Sequence, residues 1–374
     1  MKVLMQGRTE LFAVGGGDKV QIEKTAEQLR NLGVEVDIRT EMNLDLSQYD
    51  IVHVFQLDWT PETFFFAQNA KKYNKPLVLS PIHHSVKEVK KFDDEYAFDF
   101  RRLSRFLFND QHKRDTFKNV YRSFFVPTKA IPTIKSVFMG LENMHKKTLQ
   151  MADIVLVQTD AEAQDLQETY NVNFKWAKIP NGVGNNFLNT TNFKNIFGVS
   201  DYILSVGRIE PRKNQLKIIE AVANFRKKHN LDVNLVLIGV VRYNRHPEFS
   251  LRFKNVLAKY NWIKHLASVP YNDMPSVYHF AKVTVSASWF ETTGLTSLES
   301  LFCGTNAVAA GERAKEYLKD YVSYCTPDSV ESIELALEKE FFAPRPILAP
   351  EILREYTWEN AAKKTLAIYK NFSV

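Results

Sequence analysis

Two basic side chains follow a short apolar run in the second half of the chain. The run at 202–206 is followed by Arg208 and Lys213, and Leu216 and Ile219 then mark one face of a helix. A loop between a strand and a helix places these cations beside a helix N-terminus, where unpaired amide N–H groups attract anions. The pattern predicts a site for a phosphate or diphosphate. Taken by itself, a solvated basic turn is the alternative, because basic loops are common.

Two carboxylates are placed around the start of a later helix. Glu291 comes after an apolar strand pattern, and Glu299 lies two turns inside the helix that follows. One carboxylate can therefore face a ligand at the helix mouth while the other accepts hydrogen bonds from hydroxyls such as a ribose diol. The first backbone amides of this helix are expected to point at the same ligand as the two cations; they belong to Gly294, Leu295 and Thr296.

A histidine pair occupies a strand-to-loop passage in the first half. His83 and His84 follow an apolar run that starts at Pro76. A loop histidine at the carboxyl end of a strand can hydrogen-bond a ligand hydroxyl or the reacting oxygens, and we expect His83 rather than His84 to do so. A surface pair without a role is the alternative. His53, which lies inside an apolar run, is expected to be a core histidine.

The elements that must position these residues are short apolar runs that alternate with amphipathic stretches from end to end. Runs of four to six branched residues separated by helical periodicity are typical of parallel strands joined by helices. Asp18 can cap the first long helix, and Gly33 and Gly304 follow two helix ends. The sequence therefore predicts a doubly wound α/β fold. The runs lie at 2–5, 50–55, 76–79, 154–157, 203–206, 233–238 and 283–285.

One shift in composition divides the chain almost in half. Between residues 184 and 198 Asn and Thr dominate and the apolar periodicity lapses, as in a domain linker or a long surface loop. A chain of 374 residues is long enough for two cores. The predicted domains are 1–184 and 199–356, and a last helix at 357–374 can complete the first or extend the second.

Composition excludes several classes of protein. With 45% hydrophobic and 25% charged residues, 14 Gly and 14 Pro, the chain is not collagenous, of low complexity or disordered. Its two cysteines, Cys303 and Cys325, cannot form a disulfide framework or a zinc site unaided. No signal-peptide pattern opens the sequence and no apolar run approaches the roughly 20 residues of a membrane span, so we expect a cytoplasmic protein.

Positive charge is concentrated in one segment. The whole chain carries +6 at pH 7, whereas residues 100–150 contain eleven Lys and Arg against three acidic residues, a net +8. The overlapping stretch 92–125 interleaves aromatic and basic side chains. Three interpretations are open: a solvated helical pair that covers its own core, a face for an anionic membrane surface, or a nucleic-acid patch. We expect no nucleic-acid partner, because no nucleic-acid-binding module is recognisable in the sequence.

Taken together, the motifs of the second half resemble the donor site of the family 4 retaining glycosyltransferases, which have the GT-B fold. Glu291 and Glu299, eight residues apart, carry this resemblance together with a V-G-R motif that ends at Arg208. Lys213 follows that motif five residues later. The match runs in register over most of the chain. Weaker added matches are a P-N-G-V segment at 180–183 and a glycine turn at 15–18.

The resemblance implies a role for each of these residues. Arg208 and Lys213 would neutralise the diphosphate of a nucleotide sugar, since a leaving diphosphate gains negative charge as the glycosidic bond breaks. Glu299 would bind the ribose hydroxyls, and Glu291 would contact the transferred sugar. His83 would line the pocket for that sugar. The second half of the chain would therefore bind most of the donor.

The resemblance also implies the architecture and the cofactor requirement. Two Rossmann-like domains would face each other across a central cleft, the first binding the acceptor and the second the donor. Gly16 and Gly17, in the glycine turn of the first domain, would border the donor. Cations and helix amides can stabilise the leaving group without a metal, and the sequence contains no Asp-x-Asp pair to hold one. No metal ion or other cofactor is therefore expected.

The implied reaction is transfer of a hexose from a nucleoside-diphosphate sugar to an acceptor hydroxyl, with retention at the anomeric carbon. The acceptor would be a glycan or a lipid-linked or protein-linked molecule, and a lipid-linked acceptor would hold the protein at the inner face of a membrane. Asn214 stands where the family usually has Gly after the lysine. The alternatives are a sugar-nucleotide epimerase on the same fold and a non-catalytic basic surface-binding protein.

Overall fold

The structure, a computed structural model, is an α/β protein with two parallel sheets. Among the described residues each sheet has six strands, and helices flank both sheets. The predicted doubly wound α/β fold is therefore confirmed. The described residues are 1–58, 60–95, 101–124, 130–188 and 193–372.

The chain folds into two compact units. Unit 1 comprises residues 1–87, 103–182 and 355–374, and unit 2 comprises 88–102 and 183–354. The chain passes from unit 1 to unit 2 after residue 182, close to the predicted linker at 184–198. The short segment that leaves the first half of the sequence to join unit 2 has no counterpart in the predicted domain boundaries.

The sheet of unit 1 has the strands β1 (Lys2–Gln6), β2 (Glu35–Arg39), β3 (Ile51–Phe55), β4 (Leu77–Ser80), β5 (Ile154–Val157) and β6 (Trp176–Lys178). Their spatial order is β2-β1-β3-β4-β5-β6, and all neighbours are parallel. The order reverses between β1 and β3, since the chain moves outward from β1 to β2 and then returns to the other side. The inner strands are buried on both faces, which explains their continuous apolar runs.

The helices of the first half are α1 (Leu11–Val14), α2 (Gly17–Asn31), α3 (Glu62–Lys72), α4 (Val86–Glu95), α5 (Arg101–Leu107), α6 (Gln111–Ser123), α7 (Ala130–Met139), α8 (Leu141–Met151) and α9 (Asp160–Tyr170). Gly16, not Asp18, is the N-cap of α2. The prediction that Asp18 caps this helix is wrong because Asp18 lies in the first turn and its Oδ2 accepts a 2.6 Å hydrogen bond from Nε of Arg8.

The sheet of unit 2 has the strands β7 (Tyr202–Val206), β8 (Leu235–Ile238), β9 (Ile263–Leu266), β10 (Ala281–Val285), β11 (Asn306–Ala310) and β12 (Ser323–Cys325). Their spatial order is β12-β11-β10-β7-β8-β9, again all parallel. The reversal of order falls between β7 and β10. The remaining helices are α10 (Gln215–His229), α11 (Pro247–Lys259), α12 (Met274–Phe280), α13 (Leu295–Phe302), α14 (Glu312–Leu318), α15 (Val330–Phe342), α16 (Pro350–Glu355) and α17 (Trp358–Lys370).

The last helix of the chain packs on unit 1. α17 lies against α2, and its Ala362 and Tyr369 are buried in the core on that side of the sheet. The returning chain passes so close to Gly182 that a Cβ there would lie 2.1 Å from the backbone of Thr357 and Trp358. Only glycine fits at this point of the P-N-G-V segment, because any side chain would collide with backbone atoms.

The predicted linker is partly structured. Residues 185–187 form a 3₁₀ turn, and Phe187 is buried against the rings of Tyr271 and Tyr278 in unit 2. Residues 189–192 lie outside the described part of the chain. The beginning of the Asn- and Thr-rich stretch is therefore packed onto the second unit.

Helix α4 carries the part of the first half that joins unit 2. Its Val89 and Phe92 form a buried apolar cluster with Trp289 and Phe290. The ring centroid of Phe92 lies 5.9 Å from that of Trp289 and 5.6 Å from that of Phe290. Lys91 adds an ion pair with Asp328 at 2.9 Å. The apolar face of α4 thus supports the loop that follows β10.

Candidate functional site

The carboxyl ends of two strands in unit 2 meet where the strand order reverses. β7 and β10 are neighbours, but β8 lies on one side of this pair and β11 on the other. Loops that follow such a pair separate and leave a crevice, which is where open α/β sheets bind ligands. The loop after β7 carries Arg208 and Lys213, and the loop after β10 carries Glu291. The structure therefore brings the two sequence motifs together.

Asn214 fixes the conformation of the loop after β7. It follows a 3₁₀ turn at Pro211–Lys213 and has a φ of 63°, in the left-handed region that Gly and Asn tolerate best. Its side-chain amide donates hydrogen bonds to the carbonyls of Ala287 at 3.1 Å and Pro327 at 2.7 Å. Asn214 can therefore replace the glycine of the family pattern, and it also ties this loop to the end of β10.

Three cations and two carboxylates alternate in this crevice. Oε1 of Glu210 accepts hydrogen bonds from Arg208 at 3.3 Å and from Nε of Arg212 at 3.2 Å. Arg212 also lies 3.6 Å from Oε2 of Glu291. Nζ of Lys213 forms a short ion pair with Oε1 of Glu291. The five side chains together carry a charge of +1, and each cation has a carboxylate beside it.

The electrostatics of the crevice keep both carboxylates ionised. Burial raises the pKa of Glu291, but Lys213 and Arg212 outweigh burial and lower this pKa to about 2. Burial also raises the pKa of Glu210, but Arg212 and Arg208 outweigh burial and lower this pKa to about 2. Burial also lowers the pKa of Lys213. A dianionic ligand that bound Lys213 would take the place of its present partner, the Glu291 carboxylate.

The N-terminus of α13 has a backbone conformation that leaves the first N–H groups of the helix without partners inside the helix. Its N-cap Gly294 has a φ of 74°, which favours glycine. The first hydrogen bond to the Gly294 carbonyl comes from the N–H of Ser297 at 3.0 Å. The amides of Leu295 and Thr296 precede that bond and belong to the unpaired N–H groups of the first turn. All three predicted amides thus lie at the N-terminus of a helix that directly follows the Glu291 loop.

Glu299 lies in the second turn of α13 and has a different environment from Glu291. Its Oε2 accepts a 2.8 Å hydrogen bond from the hydroxyl of Tyr278. Burial raises the pKa of Glu299 to about 7, although the Tyr278 hydrogen bond lowers it in part. The described contacts of Glu299 include no cation like the one that holds Glu291 ionised. Its carboxyl therefore changes charge near neutral pH.

The glycine turn of unit 1 is held by one ion pair. Arg8 donates to the carbonyl of Gly15 at 2.8 Å and pairs with Asp18 at 2.6 Å. Gly16 has a φ of 149°, and a Cβ at this position would lie 2.6 Å from Oδ1 of Asp18. Gly17 is the first residue of α2. Both predicted glycines therefore lie in a rigid turn between β1 and a helix N-terminus.

His83 is 1% exposed and lies between two carboxylates of unit 1. Its Nδ1 makes a short hydrogen bond with Asp58, and its Nε2 lies 3.2 Å from Oδ2 of Asp165. His84 is less buried, and its Nδ1 lies 2.9 Å from the second oxygen of Asp58. Burial raises the pKa of Asp58, but the two histidines hold it below its ordinary value. One ionised carboxylate thus fixes both rings.

Two residues at the same edge of the unit 1 sheet have a left-handed backbone conformation. Gln56, just after β3, has a φ of 73°, and Ile82, just before His83, has a φ of 49°. A β-branched residue in the left-handed region is a conformational outlier that costs about 1–3 kcal/mol. Such strain is found where the surrounding structure must hold a loop in one shape, as at binding sites.

Glu162 connects the loops that follow β4 and β5. Its two carboxylate oxygens accept hydrogen bonds from the backbone N–H of His83 and of Gln158, both at 2.7 Å. Thr159 is the N-cap of α9 and accepts from the N–H of Glu162 at 3.0 Å. In a capping box this glutamate would bond back to the cap residue. Here it stabilises the histidine loop instead.

Several residues of these sites were not predicted from the sequence. Asp58 and Asp165, which hold His83, have no motif around them, although Asp58 follows a strand by three residues and could be found by inspecting every strand end. Tyr278, the partner of Glu299, gives no sequence signal. Glu210 and Arg212 lie inside the basic motif, but only the structure shows that they alternate with Arg208 and Lys213.

His53 has the structural role predicted for it. Its Nδ1 lies 2.6 Å from the hydroxyl of Tyr369, and its Nε2 lies 2.8 Å from Oγ of Ser80. Burial lowers the pKa of His53 to about 3. The prediction of a satisfied core histidine is confirmed, and this residue joins α17 to the unit 1 sheet.

Within the described ranges, no group of three or more His, Cys, Asp or Glu side chains is arranged to hold a metal ion. Of the helices in those ranges, none has both the length and the apolar character needed to cross a bilayer. Metal independence of the reaction stays a prediction.

Comparison with known proteins gives a match to the second half of the chain. Residues 189–356 match the family described as glycosyl transferases group 1. The O-antigen chain mannosyltransferase B of Escherichia coli is 27% identical over 177 residues, which are 45% of this chain. That alignment also spans 45% of the relative, less than half of its length.

Two solved structures share the fold over nearly the whole chain. Sucrose-phosphate synthase from Thermosynechococcus elongatus has a TM-score of 0.71 at 15% identity and covers 99% of this chain and 98% of its own. HepE of Anabaena, in complex with UDP and glucose, has a TM-score of 0.66 at 15% identity, with coverages of 99% and 100%. At this identity the likeness concerns the fold, and it confirms the predicted GT-B type. The comparisons support sugar transfer and do not support the epimerase alternative.

Proposed function

We propose that the whole chain transfers a hexose from a nucleoside-diphosphate sugar to an acceptor hydroxyl, a proposal supported by the match of residues 189–356 to the glycosyl transferases of group 1. We also propose that the configuration at the anomeric carbon is retained and that no metal ion is required. Nucleotide-sugar use is supported by the fold shared with HepE, which was solved with UDP and glucose. Retention and metal independence rest on the resemblance of the sequence motifs.

The observation that carries this proposal is the alternation of charges between the ends of β7 and β10. The proposed position of the diphosphate is that of the Lys213–Glu291 ion pair. A diphosphate bound by Arg208 and Lys213 would take over the cation and release Glu291 toward a hydroxyl of the donor sugar. These cations and the amides at the start of α13 would then stabilise the charge that develops on the leaving diphosphate.

In the proposed reaction the acceptor oxygen attacks the anomeric carbon on the face from which the diphosphate departs. The bond from that carbon to the phosphate oxygen breaks as the bond to the acceptor oxygen forms. The leaving phosphate oxygen takes the proton of the acceptor hydroxyl. Arg208 and Lys213 hold the departing group close enough for this transfer, and neither Glu291 nor Glu299 acts as a covalent nucleophile.

Glu299 is proposed to bind the ribose hydroxyls of the donor. A carboxylate accepts two hydrogen bonds from a diol only when it is ionised. The pKa of Glu299 near 7 therefore makes donor binding dependent on pH in the neutral range. The hydroxyl of Tyr278 would hold the carboxylate in place while the free oxygen lone pairs accept from the ligand.

The sequence predicts that His83 rather than His84 contacts the ligand. We propose the reverse assignment in unit 1, in which His83 positions the loop and His84 reaches the sugar. Both ring nitrogens of His83 lie beside carboxylates, whereas His84 is more exposed and shares the Asp58 carboxylate. That Gly16 and Gly17 border the donor is proposed on the resemblance of their glycine turn to that of the family. The acceptor is proposed to be a glycan or a lipid-linked or protein-linked molecule, used in the cytoplasm or at the inner face of a membrane.

A panel of nucleoside diphosphates and their sugar conjugates tests the proposal. Each is added to the purified chain with and without a chelator, and the thermal midpoint is measured. We expect one diphosphate to raise the midpoint equally in both conditions. A chain that responds to none of the panel would refute donor binding, and stabilisation that the chelator abolishes would refute metal independence. Release of an altered sugar nucleotide in the absence of an acceptor would identify an epimerase.

A further inference from the structure

Helix α7 exposes its apolar side chains to solvent. Four apolar residues recur at helical spacing on one side, which we call the outer face of α7. They are Ile131, Ile134, Val137 and Phe138, with exposures of 69%, 57%, 53% and 85%. Residues spaced by three and four lie on one side of a helix, so these side chains form a continuous stripe rather than scattered positions.

The opposite side of α7 is buried, and it is the less apolar side. Pro132, Thr133 and Ser136 face the protein, where α7 packs against α6 and α8. Oγ of Ser136 donates to the carbonyl of Thr133 at 2.7 Å, so its hydroxyl is satisfied within the helix. A surface helix normally buries its apolar stripe. In α7 the arrangement is inverted, and an exposed apolar stripe of this kind is typical of a surface that binds a partner.

Exposed rings also occur at the end of α6, which packs against α7, and on α5. Tyr121 and Phe124 are exposed at the end of α6, and Phe106 is exposed on α5. The guanidinium of Arg105 lies 5.1 Å from the Phe106 ring centroid. Aromatic side chains beside cations are typical of surfaces that enter the interfacial region of a bilayer, where one end of each side chain is apolar and the other is hydrated.

The segment of the sequence that contains this face is rich in basic residues, which suits an anionic partner. Residues 100–150 carry a net +8, and Lys113, Lys135 and Lys147 are exposed on α6, α7 and α8. Basic residues near an anionic lipid surface are attracted to it, and exposed apolar side chains then insert among the headgroups. A helix of ten residues is about 15 Å long and cannot span the hydrocarbon core, so it can only lie in the interface.

We propose that the outer face of α7 docks on an anionic lipid bilayer, with Ile131, Ile134, Val137 and Phe138 inserted at headgroup depth. The aromatic stretch predicted from the sequence, 92–125, is only partly involved. Phe92 is buried in unit 2, and residues 96–100 lie outside the described part of the chain. The docking surface is therefore centred on α7, beyond the predicted stretch, and it does not depend on which sugar is transferred.

Sedimentation with vesicles tests the proposal without donor or acceptor. The full chain is mixed with vesicles of phosphatidylcholine alone or of phosphatidylcholine with phosphatidylglycerol. We expect binding to the anionic vesicles that weakens as salt is raised. Phe138→Asp should weaken this binding by at least about tenfold, because it places a charge in the inserted stripe. Leu251→Asp is the matched control, because Leu251 is a helical residue with 59% exposure in unit 2 and the change in net charge is the same.

The outcomes separate this proposal from its competitors. Equal loss of binding in both variants would reduce the effect to net charge and overturn insertion by α7. Failure of the unmodified chain to bind anionic vesicles would also overturn it, as would a concentration-dependent oligomer that Phe138→Asp dissolves, since a second copy would then cover the face. Far-UV circular dichroism and the thermal midpoint of Phe138→Asp should match those of the unmodified chain, because the position is exposed.

Discussion

The two units differ in the charged side chains that follow the carboxyl ends of their strands. In unit 2 the charged side chains after β7 and β10 are partly exposed, and each lies beside a partner that the proposed diphosphate would displace. In unit 1 the charged side chains after β3 and β4 are almost fully buried and hold one another. In both units these loops follow the carboxyl ends of parallel strands, which is where open α/β sheets bind ligands. The difference indicates exchangeable charge in unit 2 and a fixed scaffold in unit 1.

The scaffold side of this comparison predicts a loss of stability without a loss of donor binding. Asp58→Asn removes the charge that both His83 and His84 contact, so Asp165 is the carboxylate that remains beside His83. Breaking a buried pair costs about 3–5 kcal/mol, so we expect a clear fall in the urea midpoint. The affinity for nucleoside diphosphate should be unchanged. Asp160→Asn, at a more exposed ion pair with Lys178, is the control and should have little effect.

The ionisation of Asp58 also predicts the direction in which the stability of the protein changes with pH. Since the folded-state pKa of Asp58 lies below its ordinary value, its contribution is present above about pH 4 and is lost as the pH falls through the folded-state pKa. The urea midpoint of the unmodified chain should therefore fall more steeply in acid than that of Asp58→Asn. Parallel pH profiles for the two proteins would contradict the scaffold role.

The charged side chains of unit 2 predict a loss of catalysis without a loss of structure. Glu291→Ala removes the carboxylate proposed to contact the donor sugar, and we expect kcat to fall on the order of 10²-fold. The far-UV circular dichroism spectrum should be unchanged. If the inactivation were accompanied by lost secondary structure, Glu291 would be a structural residue like Asp58, and the contrast between the units would fail.

Lys213→Ala should act on the diphosphate itself. A hydrogen bond to a charged group contributes about 1.5–3 kcal/mol, so the dissociation constant for nucleoside diphosphate should rise roughly 10- to 100-fold. The uncharged nucleoside should bind the variant and the unmodified chain equally weakly. Lys228→Ala, at the far end of α10, is the matched control. Similar losses in both variants would mean that only the overall positive charge matters.

The smallest effect concerns Glu299. Because its pKa is about 7, the carboxyl is mostly protonated at pH 6 and mostly ionised at pH 8. Donor affinity measured by calorimetry should therefore rise with pH, by up to about tenfold per unit below the pKa. Glu299→Gln should remove that part of the pH dependence and leave only the part due to the phosphates. An unchanged profile in this variant would exclude Glu299 from the ribose site.

Much of the fold was predictable because strand runs and helix faces are local patterns. The meeting of Arg208 and Lys213 with Glu291 also followed from the sequence, since each motif directly follows a strand and neighbouring parallel strands end at one edge. Asp58 was missed because a single carboxylate after a strand is common and becomes informative only when His83 is seen against it. Helical periodicity in α7 predicts that an apolar face exists, but it does not predict which face the protein buries.

The packing of α4 on Trp289 and Phe290 bears on any attempt to divide the chain. A fragment that starts near residue 184 would contain the whole matched family segment but would lack Val89 and Phe92. The indole and phenyl rings just before Glu291 would then face water, and the fragment would be expected to self-associate. A separately expressed nucleotide-binding half should therefore carry residues 86–95, fused at either end, if its crevice is to keep its shape.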